Sequence, residues 1–296
     1  MARRNGIAVL CILLSVGLLD VQGAIGFSKS SKAMGTHKKR HSSVKVVQAP
    51  RDLFLRSASA LVVDQQTGEL LFQKQTEAVL PIASITKLMT AMVVLDAQID
   101  LEESITIEPA DVVYKKPSRL RVGTQLSREN ALLLALMASE NRAAHALGRT
   151  YPGGSEAFVI AMNTKAKSLG LSNTSFEDTS GLSSGNTSSA NDLALMVDAA
   201  YQYSLVREFT TREEATIHSG RRTLEFHNTN RLIQNPRWQI GLSKTGFTNK
   251  AGRCLVMQAS VAQRSLLIVL LDAQGKLTRF ADANRIKQWM ERQPLA

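Results

Sequence analysis

The stretch QIGLSKTGFTNKAGRCLVMQASVAQRSLLIVLL, residues 239–271, decides how this chain is read. Three apolar runs, 239–248, 253–262 and 265–271, are separated by Asn249-Lys250-Ala251-Gly252 and by Gln263-Arg264. Apolar runs of that length between turn residues read as consecutive antiparallel strands. A helix is expected behind them over 278–292, with Phe280, Ala283, Ile286, Trp289 and Met290 on one face. That stripe is read as core rather than membrane anchor, because the sheet it follows needs cover.

Working outward, residues 59–64 and 69–73 flank Gln65-Gln66-Thr67-Gly68 and predict a β-hairpin. Apolar helical segments follow: one from Ser84 after Pro81, one over 126–147 broken at Ser139-Glu140-Asn141, one over 153–169 ended by Gly170, and one over 192–203. Residues 179–191 form a Ser/Gly-rich loop, and no internal repeat is visible. A hairpin first, helices in the middle and strands last predict an α+β fold. Its antiparallel sheet is formed from both chain ends and covered by helices, with a helical insertion at about 100–215. The expected division is 1–26 signal peptide, 27–52 basic flexible arm and 53–296 a single domain.

The N-terminus sets the compartment. Met1-Ala2-Arg3-Arg4 is basic, and residues 7–19 are apolar but too short for an ordinary membrane span. Small residues at Gly23, Ala24 and Gly26 offer cleavage after Gly23 or after Gly26. A secretory signal is therefore expected, with an uncleaved anchor as the alternative. The location implied is periplasmic or otherwise extracytoplasmic. Cys11 lies inside the apolar run, so Cys254 alone would remain and no internal disulfide is expected. Arg253-Cys254-Leu255-Val256 reads as a buried strand, without the neighbouring His or helix N-terminus that a reactive thiolate needs.

The formal charge is +11. Lys29, Lys32, Lys38, Lys39, Arg40, Lys45 and Arg51 fall in the arm, and no acidic residue lies from 28 to 51. Such a segment cannot bury enough apolar area to order itself. An exported chain seldom meets nucleic acid, so the arm is expected to meet an anionic wall polymer, the membrane surface or an acidic wall-enzyme partner. A solubilising linker is the plainer option.

Lys244-Thr245-Gly246 lies on the first of the three predicted strands. Alternation sends Lys244 and Gly246 to one side and Thr245 to the other. Lys244 offers a positive charge for a carboxylate, and Thr245 a hydroxyl for the same group if a local twist turns it inward. Gly246 removes a side chain so that a substrate backbone can approach the strand edge. Far upstream, Ser84-Ile85-Thr86-Lys87 opens an apolar run that reads as a buried helix. Residues three apart share a helix face, which brings the Lys87 amine beside the Ser84 hydroxyl. That pairing activates the serine if the lysine is desolvated. The spacing also suits a capping serine with a surface lysine, and it recurs at Ser42-Ser43-Val44-Lys45, in a polar stretch without periodicity.

Three S-x-N matches lie between Lys87 and Lys244: Ser139-Glu140-Asn141, Ser184-Gly185-Asn186 and Ser189-Ala190-Asn191. The last two fall in the Ser/Gly-rich loop, where composition alone supplies them. Ser139-Glu140-Asn141 breaks two apolar helical stretches, a place where side chains are held near a core, and it is the expected third element. Standing alone it would read as a helix cap.

In this order, Ser84-x-x-Lys87, Ser139-x-Asn141 and Lys244-Thr245-Gly246 resemble the penicillin-recognising serine D-alanyl-D-alanine peptidases. The resemblance covers nearly all of the chain after about residue 50. Pro81-Ile82-Ala83-Ser84-Ile85-Thr86-Lys87-Leu88-Met89-Thr90-Ala91, Asp178-Thr179-Ser180-Gly181-Leu182 and Lys244-Thr245-Gly246-Phe247-Thr248-Asn249-Lys250-Ala251-Gly252 resemble the low-molecular-mass members, most of all the endopeptidase type.

The resemblance implies a penicillin-binding, serine β-lactamase-like fold with neither metal nor cofactor. It implies that the penultimate D-alanine of a peptidoglycan stem peptide acylates Ser84, with Lys87 as general base. Ser139 and Asn141 would carry protons and bind the peptide, and Lys244 and Thr245 would hold the terminal or crosslink-side carboxylate. Backbone N–H groups of Ser84 and Phe247 would form the oxyanion hole, with donors of this kind contributing about 3 kcal/mol each. β-Lactam antibiotics would acylate the same serine. Whether Lys87, Lys244 or a Ser139 relay takes the first proton stays open.

A serine β-lactamase shares these parts, but the E-x-x-L-N deacylation motif of class A enzymes is absent after Asn141. A penicilloyl ester is therefore expected to persist. His145, His218 and His227 show no H-E-x-x-H or comparable spacing, which argues against a metallopeptidase. A D-alanyl-D-alanine carboxypeptidase and a wall-binding, partner-activating module remain alternatives. Relatives acting mainly as carboxypeptidases commonly add a β-rich domain and a terminal amphipathic anchor. This sequence closes on one helix after the last predicted strand, which by analogy favours the endopeptidase type.

Overall fold

In the computed structural model the described residues are 53–113, 118–220 and 222–293. The expected signal peptide and basic arm lie outside them.

The chain opens with the hairpin β1 (Ser57–Asp64) and β2 (Leu70–Lys74), then β3 (Leu80–Pro81). A 3₁₀ turn over Ala83–Thr86 leads into α1 (Lys87–Asp96). Next come β4 (Ser104–Thr106), β5 (Gln125–Ser127), α2 (Arg128–Met137), α3 (Asn141–Arg149) and α4 (Gly154–Ser168). Then follow β6 (Thr187–Ser188), α5 (Ala190–Tyr201), α6 (Ser204–Thr211) and a ribbon of β7 (Glu214–Ser219) and β8 (Arg222–His227). The chain finishes with β9 (Gln239–Thr248), β10 (Gly252–Val261), β11 (Arg264–Ala273) and α7 (Thr278–Glu291).

The sheet has the order β2-β1-β11-β10-β9, antiparallel throughout. Its centre pairs the two chain ends, with Val62 opposite Ile268. This is the α+β arrangement expected from the sequence. The C-terminal strands read as nearly continuous apolar runs because both of their faces are covered. Leu255, Met257, Ile268 and Leu270 pack with Phe280, Ala283, Ile286 and Met290 of α7. Val256, Val269 and Leu271 join the larger core with Met89, Met92, Leu193 and Val197. Strand β9 is the sheet edge and packs against the 3₁₀ turn and α6.

Two details depart from the sequence reading. Ser84 does not open an α-helix; it stands in the 3₁₀ turn, after Ala83 with φ +48°. The ribbon β7–β8 was not foreseen, because only Ile217, Leu224 and Phe226 bury themselves along it. Among the described residues no helix is long and apolar enough to cross a membrane.

Candidate active site

The 3₁₀ turn places Ser84 and Lys87 in register, since side chains three apart eclipse in that helix. Lys87 is fully buried and Ser84 half-buried. The Lys87 Nζ donates to Ser84 Oγ at 2.9 Å, Asn141 Oδ1 at 2.8 Å and the Ser180 carbonyl at 2.6 Å. A buried amine is costly unless its hydrogens find acceptors, and this cage supplies three.

Ser139-Glu140-Asn141 is built by the junction of two helices. α2 ends with Ser139 at φ +59°, and the turn is closed by the Glu140 N–H on the Leu134 carbonyl at 3.0 Å. A left-handed serine is strained by about 1–3 kcal/mol, a cost met most often at functional sites. Glu140 then caps α3, its carboxylate accepting from the Arg142 N–H. Asn141, the first residue of α3, is thereby aimed at Lys87.

Lys244 reaches into the same junction. Its Nζ donates to Ser139 Oγ at 2.8 Å and to the Thr245 carbonyl at 3.3 Å. Burial, together with the nearby Lys87 and Arg279 charges, holds its amine well below the ordinary lysine value. The structure thus places Lys244 beside a serine and 1% exposed, not open on the cleft wall. Thr245 bonds Thr229 Oγ1 at 2.7 Å, and Thr229 ties back to the end of α2 through its N–H on the Met137 carbonyl.

Gly246 has a packing role that the sequence reading did not include. A Cβ there would stand 2.8 Å from the Ile82 carbonyl and 3.3 Å from the Ser84 nitrogen. What comes close is the chain's own nucleophile turn, so this glycine lets β9 dock beside Ser84. Arg279 of α7 fixes the strand from behind, donating to the Gly246 carbonyl at 2.7 Å and the Cys254 carbonyl at 3.3 Å. Burial and the Arg253 charge lower its pKa to about 10. Phe247, next along β9, is 45% exposed.

The sequence reading passed over Asn186. It took Ser184-Gly185-Asn186 as a loop match, yet Asn186 is fully buried and its side chain makes four hydrogen bonds. Its amide donates to Thr86 Oγ1 and the Asp178 carbonyl, and accepts from the Glu177 and Asp178 N–H groups. Asp178 in turn gathers the N–H groups of Ser180, Gly181 and Ser183. Gly181, at φ +80°, has the Ala83 carbonyl 1.9 Å from where its Cβ would be. The loop carrying the Ser180 carbonyl is thereby locked to the nucleophile turn. Among the described residues no group of three His, Cys, Asp or Glu could hold a metal ion.

A serine beside a caged lysine, faced by a second serine–lysine pair on a sheet edge, defines a serine acyl-transfer hydrolase of penicillin-recognising fold. A family profile described as D-alanyl-D-alanine carboxypeptidase matches residues 44–275, and the chain belongs to that family of serine peptidases. It is 50% identical over 241 residues to a D-alanyl-D-alanine endopeptidase of Pseudomonas aeruginosa, covering 80% of this chain and 78% of the relative. An Escherichia coli D-alanyl-D-alanine endopeptidase is 48% identical, with the same coverage. Among solved structures, a Streptomyces DD-transpeptidase aligns with TM-score 0.75 and 27% identity over 80% of this chain and 97% of that one. A D-alanyl-D-alanine carboxypeptidase of Mycobacterium tuberculosis aligns with TM-score 0.73 and 26% identity, over 80% and 91% of the two chains.

Proposed function

We propose that this protein hydrolyses D-alanyl bonds of peptidoglycan stem peptides outside the cytoplasm, chiefly those that crosslink two stems. The Lys87–Ser84 contact of 2.9 Å carries the reading. In the neutral form Lys87 keeps two N–H donors for Asn141 and Ser180 and turns its lone pair to the Ser84 hydroxyl. It takes that proton as Oγ attacks the carbonyl carbon of the penultimate D-alanine. The oxyanion falls between the Ser84 and Phe247 N–H groups, on the two segments that Gly246 brings together. The departing amine takes its proton from Ser139, whose oxygen is held by Lys244. The Thr245–Thr229 hydroxyl pair receives the carboxylate beyond the scissile bond, with Lys244 adding positive potential. Lys87, having passed the Ser84 proton on to restore the Ser139 hydroxyl, takes a proton from the water that attacks the ester and returns it to Ser84 Oγ as the ester breaks.

The endopeptidase preference is supported by the names of the two relatives near 50% identity. Carboxypeptidases also match, at 31% identity for one from Bacillus subtilis. Penicillins offer the same acyl carbon and leave an ester on Ser84. The basic arm is assigned to an anionic wall or membrane surface. The test is incubation with purified crosslinked muropeptide dimers and with monomeric pentapeptides, read by mass. Dimer cleavage with little loss of terminal D-alanine supports the proposal; the reverse makes the protein a carboxypeptidase. Penicillin labelling without either product would leave a wall-binding module.

A further inference from the structure

A cation and an aromatic ring stand together where β9 leaves the nucleophile turn. Arg253 of β10 lies opposite Phe247 in the strand register, and its guanidinium is 4.2 Å from the ring centroid. Arg279 bonds the carbonyls of the adjacent rung, Gly246 and Cys254. Among the described residues neither guanidinium pairs with a carboxylate. Asp272, on the neighbouring β11, lies against Gly252 and accepts from Gln274 Nε2 instead. Two like charges one rung apart, without a counter-charge, raise the potential for an anion. Stacking occupies the planar face of Arg253 and leaves its N–H edge for a carboxylate. The exposed half of Phe247 supplies an apolar floor beside it.

The order of groups along β9 says which part of a substrate arrives there. Ser139 and Lys244 serve the departing amine, and Gly246 lies against Ser84. The acyl portion therefore runs on past Phe247. We infer that Arg253 and Phe247 form a specificity subsite for a carboxylate on the residue preceding the scissile D-alanine. The ring takes that residue's aliphatic arm and the guanidinium its acid, which suits a diamino dicarboxylic residue over a plain diamino acid. The inference rests on the D-alanyl peptidase reading above.

The test uses matched crosslinked peptide dimers, differing only in the residue preceding the scissile D-alanine: free side-chain carboxylate, its primary amide, or a lysine. In the wild-type protein kcat/KM is expected to be about tenfold higher for the acid than for the amide. In Arg253→Gln the ratio should fall below about twofold, and Arg253→Lys should lie between. Equal wild-type rates for acid and amide would overturn the subsite, as would a preference that survives Arg253→Gln. The wild-type comparison needs no variant to fold. Failure of the parent reading looks different: no peptide is cut and penicillin does not label Ser84.

Discussion

The Lys244 amine lies 2.8 Å from the Ser139 hydroxyl, joining the sheet edge to a serine held at φ +59°. Burial lowers the amine's pKa, and Lys87 and Arg279 push it the same way, well below its ordinary 10.5. Between that depressed value and 10.5 the unfolded chain binds the proton that the folded one has released. Stability contributed by this group therefore rises with pH across that window. Lys244→Met is expected to remove the slope and raise Tm at neutral pH. It should also slow penicillin acylation by about ten- to a hundredfold, because the proton path through Ser139 loses its charge. Lys244→Arg should retain more acylation. A lowered Tm in Lys244→Met would mean that the amine's hydrogen bonds outweigh its desolvation.

Ser84→Ala should abolish covalent labelling by a fluorescent penicillin, whereas Ser42→Ala should leave it intact. Ser84 has the Lys87 amine 2.9 Å from its oxygen, whereas Ser42 lies in the polar stretch without apolar periodicity. Residual labelling of the Ser84 variant would place the nucleophile elsewhere.

Gly246→Ala tests the docking of β9 on the nucleophile turn. Its Cβ would press the Ile82 carbonyl at 2.8 Å and Ala83 Cβ at 3.2 Å. Neither neighbour is the end of a flexible side chain, so strand and turn must separate by some tenths of an ångström. Acylation is expected to fall more than about tenfold, with a smaller change in melting, since catalysis depends on the spacing of the two oxyanion donors. Wild-type acylation in this variant would show that the turn yields without moving Ser84.

Two asparagines that the sequence puts in one polar stretch, Asn186 in a loop and Asn191 in the first turn of α5, should behave oppositely. Asn186→Ala removes four hydrogen bonds of a fully buried side chain, and the expected loss is about 2–4 kcal/mol, measured by urea unfolding. Asn191 pairs its amide with the surface carboxylate of Glu77, so Asn191→Ala should lie within about 0.5 kcal/mol of wild type. Similar losses in both would contradict the assignment of Asn186 as the clamp on Thr86 and Asp178.

These contrasts mark where the sequence was legible. Strands buried on both faces declare themselves as nearly continuous apolar runs, so β10, β11 and their covering helix could be drawn before any coordinates, and β9 from the turn residues that bound it. The pairing of Ser84 with Lys87 was also legible, because it depends on local spacing alone. Asn186 was not, since the amide that clamps the loop has the same neighbours in sequence as any Ser/Gly turn. Nothing in the spacing ties Arg279 to the Gly246 carbonyl, 33 residues away. Only the packing of α7 behind β10 brings them together. The left-handed backbone of Ser139 is likewise set by how α2 ends against α3, and a serine carries no glycine-like signal for it.

Cys254 offers a probe of the sheet centre and a second alkaline slope. Its thiol is fully buried on β10, and its Sγ–H donates to the Ala251 carbonyl at 3.5 Å. Burial pushes its pKa up from 9.0 to about 11, so the native thiol stays protonated where the unfolded one ionises. The folded state then binds the extra proton, and this group's contribution to stability falls as pH climbs from 9.0 toward about 11. The sign is opposite to that of Lys244, which overlaps it up to 10.5. Cys254→Ala is therefore expected to steepen the rise of stability with alkaline pH, and Lys244→Met to remove the part of that rise that Lys244 contributes. In the native protein a maleimide should label Cys254 only as fast as the sheet opens, with full labelling in denaturant. Rapid labelling under native conditions would show that β10 is open to solvent at Cys254, and both slopes would have to be reassigned.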